Sequence, residues 1–251
     1  MRRGDFKIEV CANSVESCLA AMEGGADRVE LCASMPEGGV TPSYGEIITA
    51  RRRLPSMGLH VIIRPRGGDF VYTMLELERM SIDIDIARQI GVDGVVFGCL
   101  DPDGGIDYDA NAMLMEHVGN MSATFHRAFD RSSHPFDSLE KIIRLGFNRV
   151  LTSGQEPKVI EGLPFLTNLQ RQANGRITVL AGSGVDETNI ANIYNTTGVT
   201  EFHFSARVKK PGRMRFYNSS VYMGEHNADE NAIYVTSADK VKAAIQALLK
   251  A

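Results

Sequence analysis

The chain has 251 residues, 43% of them hydrophobic and 23% charged, with a formal net charge of −4. That suits one large α/β domain and leaves no bulk positive field to hold nucleic acid. No apolar run approaches the roughly 20 residues of a membrane span, and "MRRGDFKIEVCANS" has no apolar signal core; with four cysteines lacking close pairing, the expectation is a cytoplasmic protein with reduced thiols.

In chain order, the first strand is expected at "KIEVCA" (7–12). Alternation puts Glu9 and Cys11 on one face, with Ile8 and Val10 on the other. A helix follows, with Asn13 and Glu16 spaced to cap it, Gly24-Gly25 to stop it, and Val15, Cys18, Leu19 and Met22 as its buried stripe. "RVELC" (28–32) repeats the first strand's pattern, pairing Glu30 with Cys32. Arg51 to Arg53 end the next helix, where cations complement its dipole. "HVIIRPR" (60–66) turns Ile62, Arg64 and Arg66 to one side, and "GVVFGCL" (94–100) follows. In "SATFHRAF" (122–129), Ala123 and Phe125 suit a helix layer, which turns Thr124 and His126 inward. "FDSLEKIIRLG" is expected as a helix before the strand "RVLTSG" (149–154), and "DETNIANIYNTTG" as another after the strand "ITVLAGS" (177–183). In "EFHFSAR" (201–207), Phe202 and Phe204 face the helices and His203, Ser205 and Arg207 the inside. Residues 208–236 carry no helical period; a last helix from about Ser237 buries Val241, Ala244, Ile245 and Leu248.

Eight strands, each followed by a helix, in about 250 residues are the arithmetic of a (β/α)8 TIM barrel. The expectation is a single domain over 1–251, with 208–236 an excursion at the barrel mouth that serves as a lid, an oligomer contact or a plug. A doubly wound sheet is the alternative, but "CANSVES" lacks its Gly-rich nucleotide turn.

In such barrels the chemistry sits where the strands end. Glu9, Glu30, Arg64, Arg66, His126, His203 and Arg207 are therefore expected to gather in or above the barrel. Buried carboxylates need cationic or hydrogen-bonding partners, and the arginines supply them. "RPRGGDF" offers guanidinium forks beside glycines that let a ligand approach. "AGSGV" (181–185), with Gly182 and Gly184, reads as an anion nest before a helix, and Ser153 and Gly154 add hydrogen bonds. One reading is an enzyme acting on a small phosphorylated or carboxylated metabolite, with Glu30 as general base and His126 as general acid. The other is a metal site. Cys11 and Cys32 hold matching positions on adjacent strands, and two soft thiolates suit copper(I). No strand-interior lysine supports a Schiff base, and there is no HExxH, CxxC or GxSxG pattern.

The segments "EVCANSVES", "GGADRVELC", "EGGVTPS", "IRPRGGDF", "DGVVFG", "TFHRAFD", "RVLTSG", "EFHFSAR" and "NSSVYMG" resemble the CutC copper homeostasis family from about residue 8 to residue 224. The resemblance implies a cytoplasmic (β/α)8 barrel, a role in copper handling and copper(I) binding at the cysteines matching Cys11 and Cys32. It implies no organic cofactor, and a homo-oligomer is compatible with it. The chain departs from the family at Ala181-Gly182-Ser183-Gly184, where Pro-Gly-Gly-Gly is usual, and at Cys99, where a small residue is usual.

Overall fold

A computed structural model describes residues 1–218, 220–221 and 229–251. Eight parallel strands close into a barrel: β1 (Lys7–Ala12), β2 (Arg28–Leu31), β3 (Gly58–Ile62), β4 (Gly94–Phe97), β5 (Ser122–Phe125), β6 (Arg149–Thr152), β7 (Thr178–Gly182) and β8 (Glu201–Phe204). Each pairs with the next in sequence, and β8 returns to β1 with Glu9 beside His203. The surrounding helices are α1 (Val15–Glu23), α2 (Tyr44–Arg53), α3 (Met74–Ile90), α4 (Tyr108–Val118), α5 (Pro135–Arg144), α6 (Leu163–Ala173), α7 (Ile190–Thr197) and α8 (Ala238–Leu249). This is the (β/α)8 barrel expected from the sequence.

Strand alternation divides the apolar residues as parity requires. Ile8, Val10, Val29, Leu31, Leu59, Val61, Val95, Phe97, Phe125, Phe202 and Phe204 join one core between strands and helices. Ile62, Val96, Leu151 and Leu180 are equally buried but stand outside that core, inside the barrel. Gly94 makes room there for the His60 imidazole: a Cβ at residue 94 would lie 2.5 Å from Nε2.

Two local expectations are corrected. The cap of α1 is Ser14, whose hydroxyl accepts from the Ser17 amide at 3.1 Å, while Asn13 donates to the Tyr234 carbonyl. The face of α1 that packs inward carries Ser17, Cys18 and Ala21, and Leu19 and Met22 lie at the surface. Among its described residues the excursion after β8 is non-helical, as the sequence implies. It opens and closes as an antiparallel ribbon of β9 (Arg207–Pro211) and β10 (Ala232–Thr236), which carries the exposed Ile233 and Tyr234. Most of the "NSSVYMG" segment lies outside the described residues.

Candidate functional site

A chain of buried charges crosses the barrel. Arg28, on β2, donates through Nε to Glu9 of β1 and through Nη2 to Glu201 of β8 at 2.6 Å. Arg149 of β6 reaches the same Glu201 oxygen at 3.0 Å. Glu9 is wholly buried, and burial raises its pKa; Arg28, His203 and His60 together outweigh that and hold the carboxyl well below the usual range. His203 Nδ1 lies 2.7 Å from Glu9 Oε1 and 3.5 Å from Glu30 Oε2. Burial alone would lower its pKa, but its contacts with Cys11, Glu9 and Glu30 hold it well above the ordinary histidine value. Glu9, Glu30 and His203 offer three potential metal-ligand atoms within 4.8 Å of one another. The Arg28 guanidinium and His203 compensate the buried Glu9 charge, so these side chains form a charge network across the barrel.

Above this network sit three sulfurs. Cys11 and Cys32 end their strands side by side, with Sγ atoms 3.5 Å apart. Met35 joins them, its Sδ 3.0 Å from Cys32 and 3.8 Å from Cys11. A left-handed Ser34 (φ 47°) leads into a 3-10 turn over Met35–Glu37, and Gly38 and Gly39, at φ 86° and 91°, turn the chain back so that Val40 bridges Ala33. That reversal lays the thioether over the thiols. The Cys32 hydrogen bond, burial and nearby Glu30 push the Cys11 thiol well above its ordinary range.

The sulfurs open into a cavity of about 600 Å³ at the carboxyl ends of the strands. Its wall includes Glu30, Arg64, Phe70, His126, Arg131 and His203. Burial holds the Glu30 carboxyl up to about 7, with His203 opposing, and Oε2 has no hydrogen bond. Burial and the Arg64 charge push His126 down to about 3. Glu30, His126 and His203 thus come together as the sequence suggested, with Arg64 beside them.

Other expected site residues lie elsewhere. Glu9 is beneath the cavity, within the charge network. Arg66 is outside, paired with Glu76 at 2.6 Å and Asp69 at 3.0 Å. Arg207 is exposed on the ribbon, 5.9 Å from the Tyr234 ring. The reason is the same for both: β3 ends at Ile62 and β8 at Phe204, so strand parity no longer aims the side chains that follow. Ser153 is buried behind the wall, where its amide and hydroxyl donate to Asp130. Gly182 packs against Leu151 within the barrel, and Gly184 against Lys158. The expected anion nest does not open a helix, because α7 starts only at Ile190. Residues not anticipated are Met35, Arg127, Asp130 and Arg131. Asp130 is the center of a cradle, accepting from Thr152 Oγ1, the amides of Ser153 and Gln155, and Arg127 Nε.

The CutC family model matches residues 6–208. The chain is 57% identical over 244 residues to a family protein CutC from Bacteroides thetaiotaomicron, covering 97% of this chain and 98% of the relative. It is 45% identical over 238 residues to the human copper homeostasis protein cutC homolog, covering 94% of this chain and 87% of the relative. Among solved structures, the crystal structure of CutC from Streptococcus agalactiae superposes with a TM-score of 0.77 at 35% identity, over 80% of this chain and 98% of that one. Phosphoribosyl anthranilate isomerase from Thermotoga maritima shares the fold alone, with a TM-score of 0.59 at 13% identity, over 98% of this chain and 100% of that one.

Proposed function

The chain belongs to the CutC family, and we propose that it acts in cytoplasmic copper homeostasis by binding copper(I) through Cys11 and Cys32, with Met35 as a third sulfur. The observation that carries this reading is the 3.5 Å approach of two free thiols, joined by a thioether 3.0 Å from one of them. Thiolate and thioether sulfur are the soft donors that favour copper(I) over harder cations. Each coordinating thiol surrenders its proton to form the thiolate. The human relative's name, copper homeostasis protein cutC homolog, supports the same reading. The test is competition of the reduced protein for copper(I) against a colourless chelator of known affinity. Cys11→Ser and Cys32→Ser are each expected to abolish tight uptake; unchanged stoichiometry and affinity in both variants overturn the proposal.

A further inference from the structure

Copper at the sulfurs leaves most of the cavity without a role. A volume of about 600 Å³ is the size of a metabolite site, far more than one ion fills. Among the described residues, two side chains on its wall have no acceptor for a buried polar hydrogen. Arg64, 4% exposed, uses Nη1 on the carbonyls of Glu37 and Gly39 and Nη2 on that of Gly68, and its Nε has no partner. His126, 5% exposed, accepts the Ala128 amide at Nδ1 over 3.3 Å, which places the hydrogen of the neutral ring on Nε2; that atom too has no partner. Phe70 holds the two together, its ring centroid 5.0 Å from the Arg64 Cζ and 4.9 Å from the His126 ring. On the same wall, Glu30 Oε2 is an acceptor without a hydrogen bond. Unpaired polar atoms on buried side chains are uncommon and destabilising, and here two belong to residues lining one cavity, beside a Glu30 Oε2 with only the 3.5 Å ionic contact to His203. At its exposed side Arg131 lines the wall, and among the described residues it has no carboxylate partner.

We propose that this cavity binds a small hydroxylated anion, its oxygens accepting from Arg64 Nε and His126 Nε2, a hydroxyl donating to Glu30, and its carboxylate or phosphate meeting Arg131. The wall's other charges set the ligand's size and charge. Arg64, Arg127, Arg131 and the cationic His203 face Glu30, Glu37, Asp130 and Glu156, four against four, and Arg127 is already bound to Asp130 at 2.7 Å. So near a balance selects a ligand with one anionic group and several neutral oxygens. None of the site's named contacts is a sulfur, although Cys11 and Cys32 line the same cavity.

The test is isothermal titration of reduced, metal-free protein with D-glycerate, with glycerol 3-phosphate and with glycerol. At least one anion is expected to bind about tenfold or more tightly than glycerol, as a charged hydrogen bond allows. Arg131→Ala is expected to weaken that anion about fivefold or more, and His126→Phe about tenfold or more. Binding of D-glycerate alone assigns a carboxylate, and of glycerol 3-phosphate alone a phosphate. The proposal is overturned if neither anion binds more tightly than glycerol, or if Arg131→Ala binds both anions as the wild type does. Arg131 is exposed, so its variant keeps the test decisive should His126→Phe fail to fold. Copper(I) uptake by Arg131→Ala is expected to match the wild type, which separates failure of this site from failure of the metal reading.

Discussion

Replacing Arg28 by methionine keeps an apolar stem inside the barrel and deletes the cation shared by Glu9 and Glu201. Glu9 retains His203 at 2.7 Å, and Glu201 retains Arg149 at 3.0 Å, so each carboxylate loses one strong partner and keeps another. Removing one member of a buried ion pair costs about 3–5 kcal/mol, because the other charge stays behind in a poorly solvating interior. At about 2–4 °C per kcal/mol for a chain of this length, Tm falls by about 6–20 °C. Adding Glu9→Gln removes the stranded charge and restores about 1–3 kcal/mol. The pH dependence has a definite sign. Burial raises the Glu9 pKa, but Arg28, His203 and His60 win and leave it well below 4.5. A carboxylate depressed in the folded state contributes stability that is complete above its unfolded pKa and is lost as pH falls through the folded one. The Arg28→Met deficit is therefore largest near neutrality and shrinks in acid. Calorimetry and urea denaturation, run at neutral pH and in acid, measure both effects. A Tm within about 2 °C of the wild type at neutral pH, equivalent to at most about 1 kcal/mol, would refute the reasoning.

Nitrogen NMR of His126 is expected to show a neutral ring protonated at Nε2 down to about pH 4, since burial and Arg64 push its pKa to about 3; a midpoint near 6.5 would contradict the placement. Burial holds Glu30 up to about 7, so the folded state binds its proton more tightly, and the resulting stability is complete below about 4.5 and lost as pH rises through 7. Glu30→Gln should therefore gain about 1–3 kcal/mol on the wild type between pH 5 and pH 8 in urea denaturation, and equal pH dependence in both proteins would sink the assignment. At Gly162 a Cβ would lie 2.3 Å from the Ser153 carbonyl oxygen. The obstacle is backbone, so Gly162→Ala should cost about 1–3 kcal/mol, and a neutral effect would show that the loop moves freely.

Periodicity made the barrel legible because a two-residue repeat survives wherever a strand is paired on both sides. "IEVCA" and "VELCA" place Glu9, Cys11, Glu30 and Cys32 on matching faces of adjacent strands. The same rule failed three and four residues past the strand ends, at Arg207 and Arg66, although it still placed His126 and Arg64 one and two residues beyond β5 and β3. Ala206, at φ 47°, turns the chain into the ribbon and carries Arg207 away. Pro65, after β3, leaves Arg66 to the Glu76 side chain that caps α3. Met35 had no signal of its own, since the reversal that brings it to the thiols depends on left-handed Ser34, Gly38 and Gly39. Only the Pro36 and Gly38-Gly39 punctuation marked a turn there. Asp130 and Arg131 were hidden for a related reason: a 3-10 turn over Arg127–Arg131 follows β5 directly, where the sequence reading had continued the strand to Phe129.

Copper(I) uptake at the three sulfurs is an exchange of cations for protons, and its pH dependence follows from the groups around Cys11. That thiol is pushed well above its ordinary range by the Cys32 hydrogen bond, by burial and by Glu30, so near neutrality it is protonated before the metal arrives. Forming one thiolate–copper bond there expels at least one proton. His203 works in the same direction. Burial would discharge it, but Cys11, Glu9 and Glu30 keep it cationic, which repels an incoming copper ion. Apparent affinity is therefore expected to rise about tenfold or more per pH unit between about pH 6 and 8, one factor of ten for each proton released. Chelator competition across that range measures the slope. A pH-independent affinity would mean that the ion displaces no thiol proton, and would remove both Cys11 and Cys32 from the ligand set.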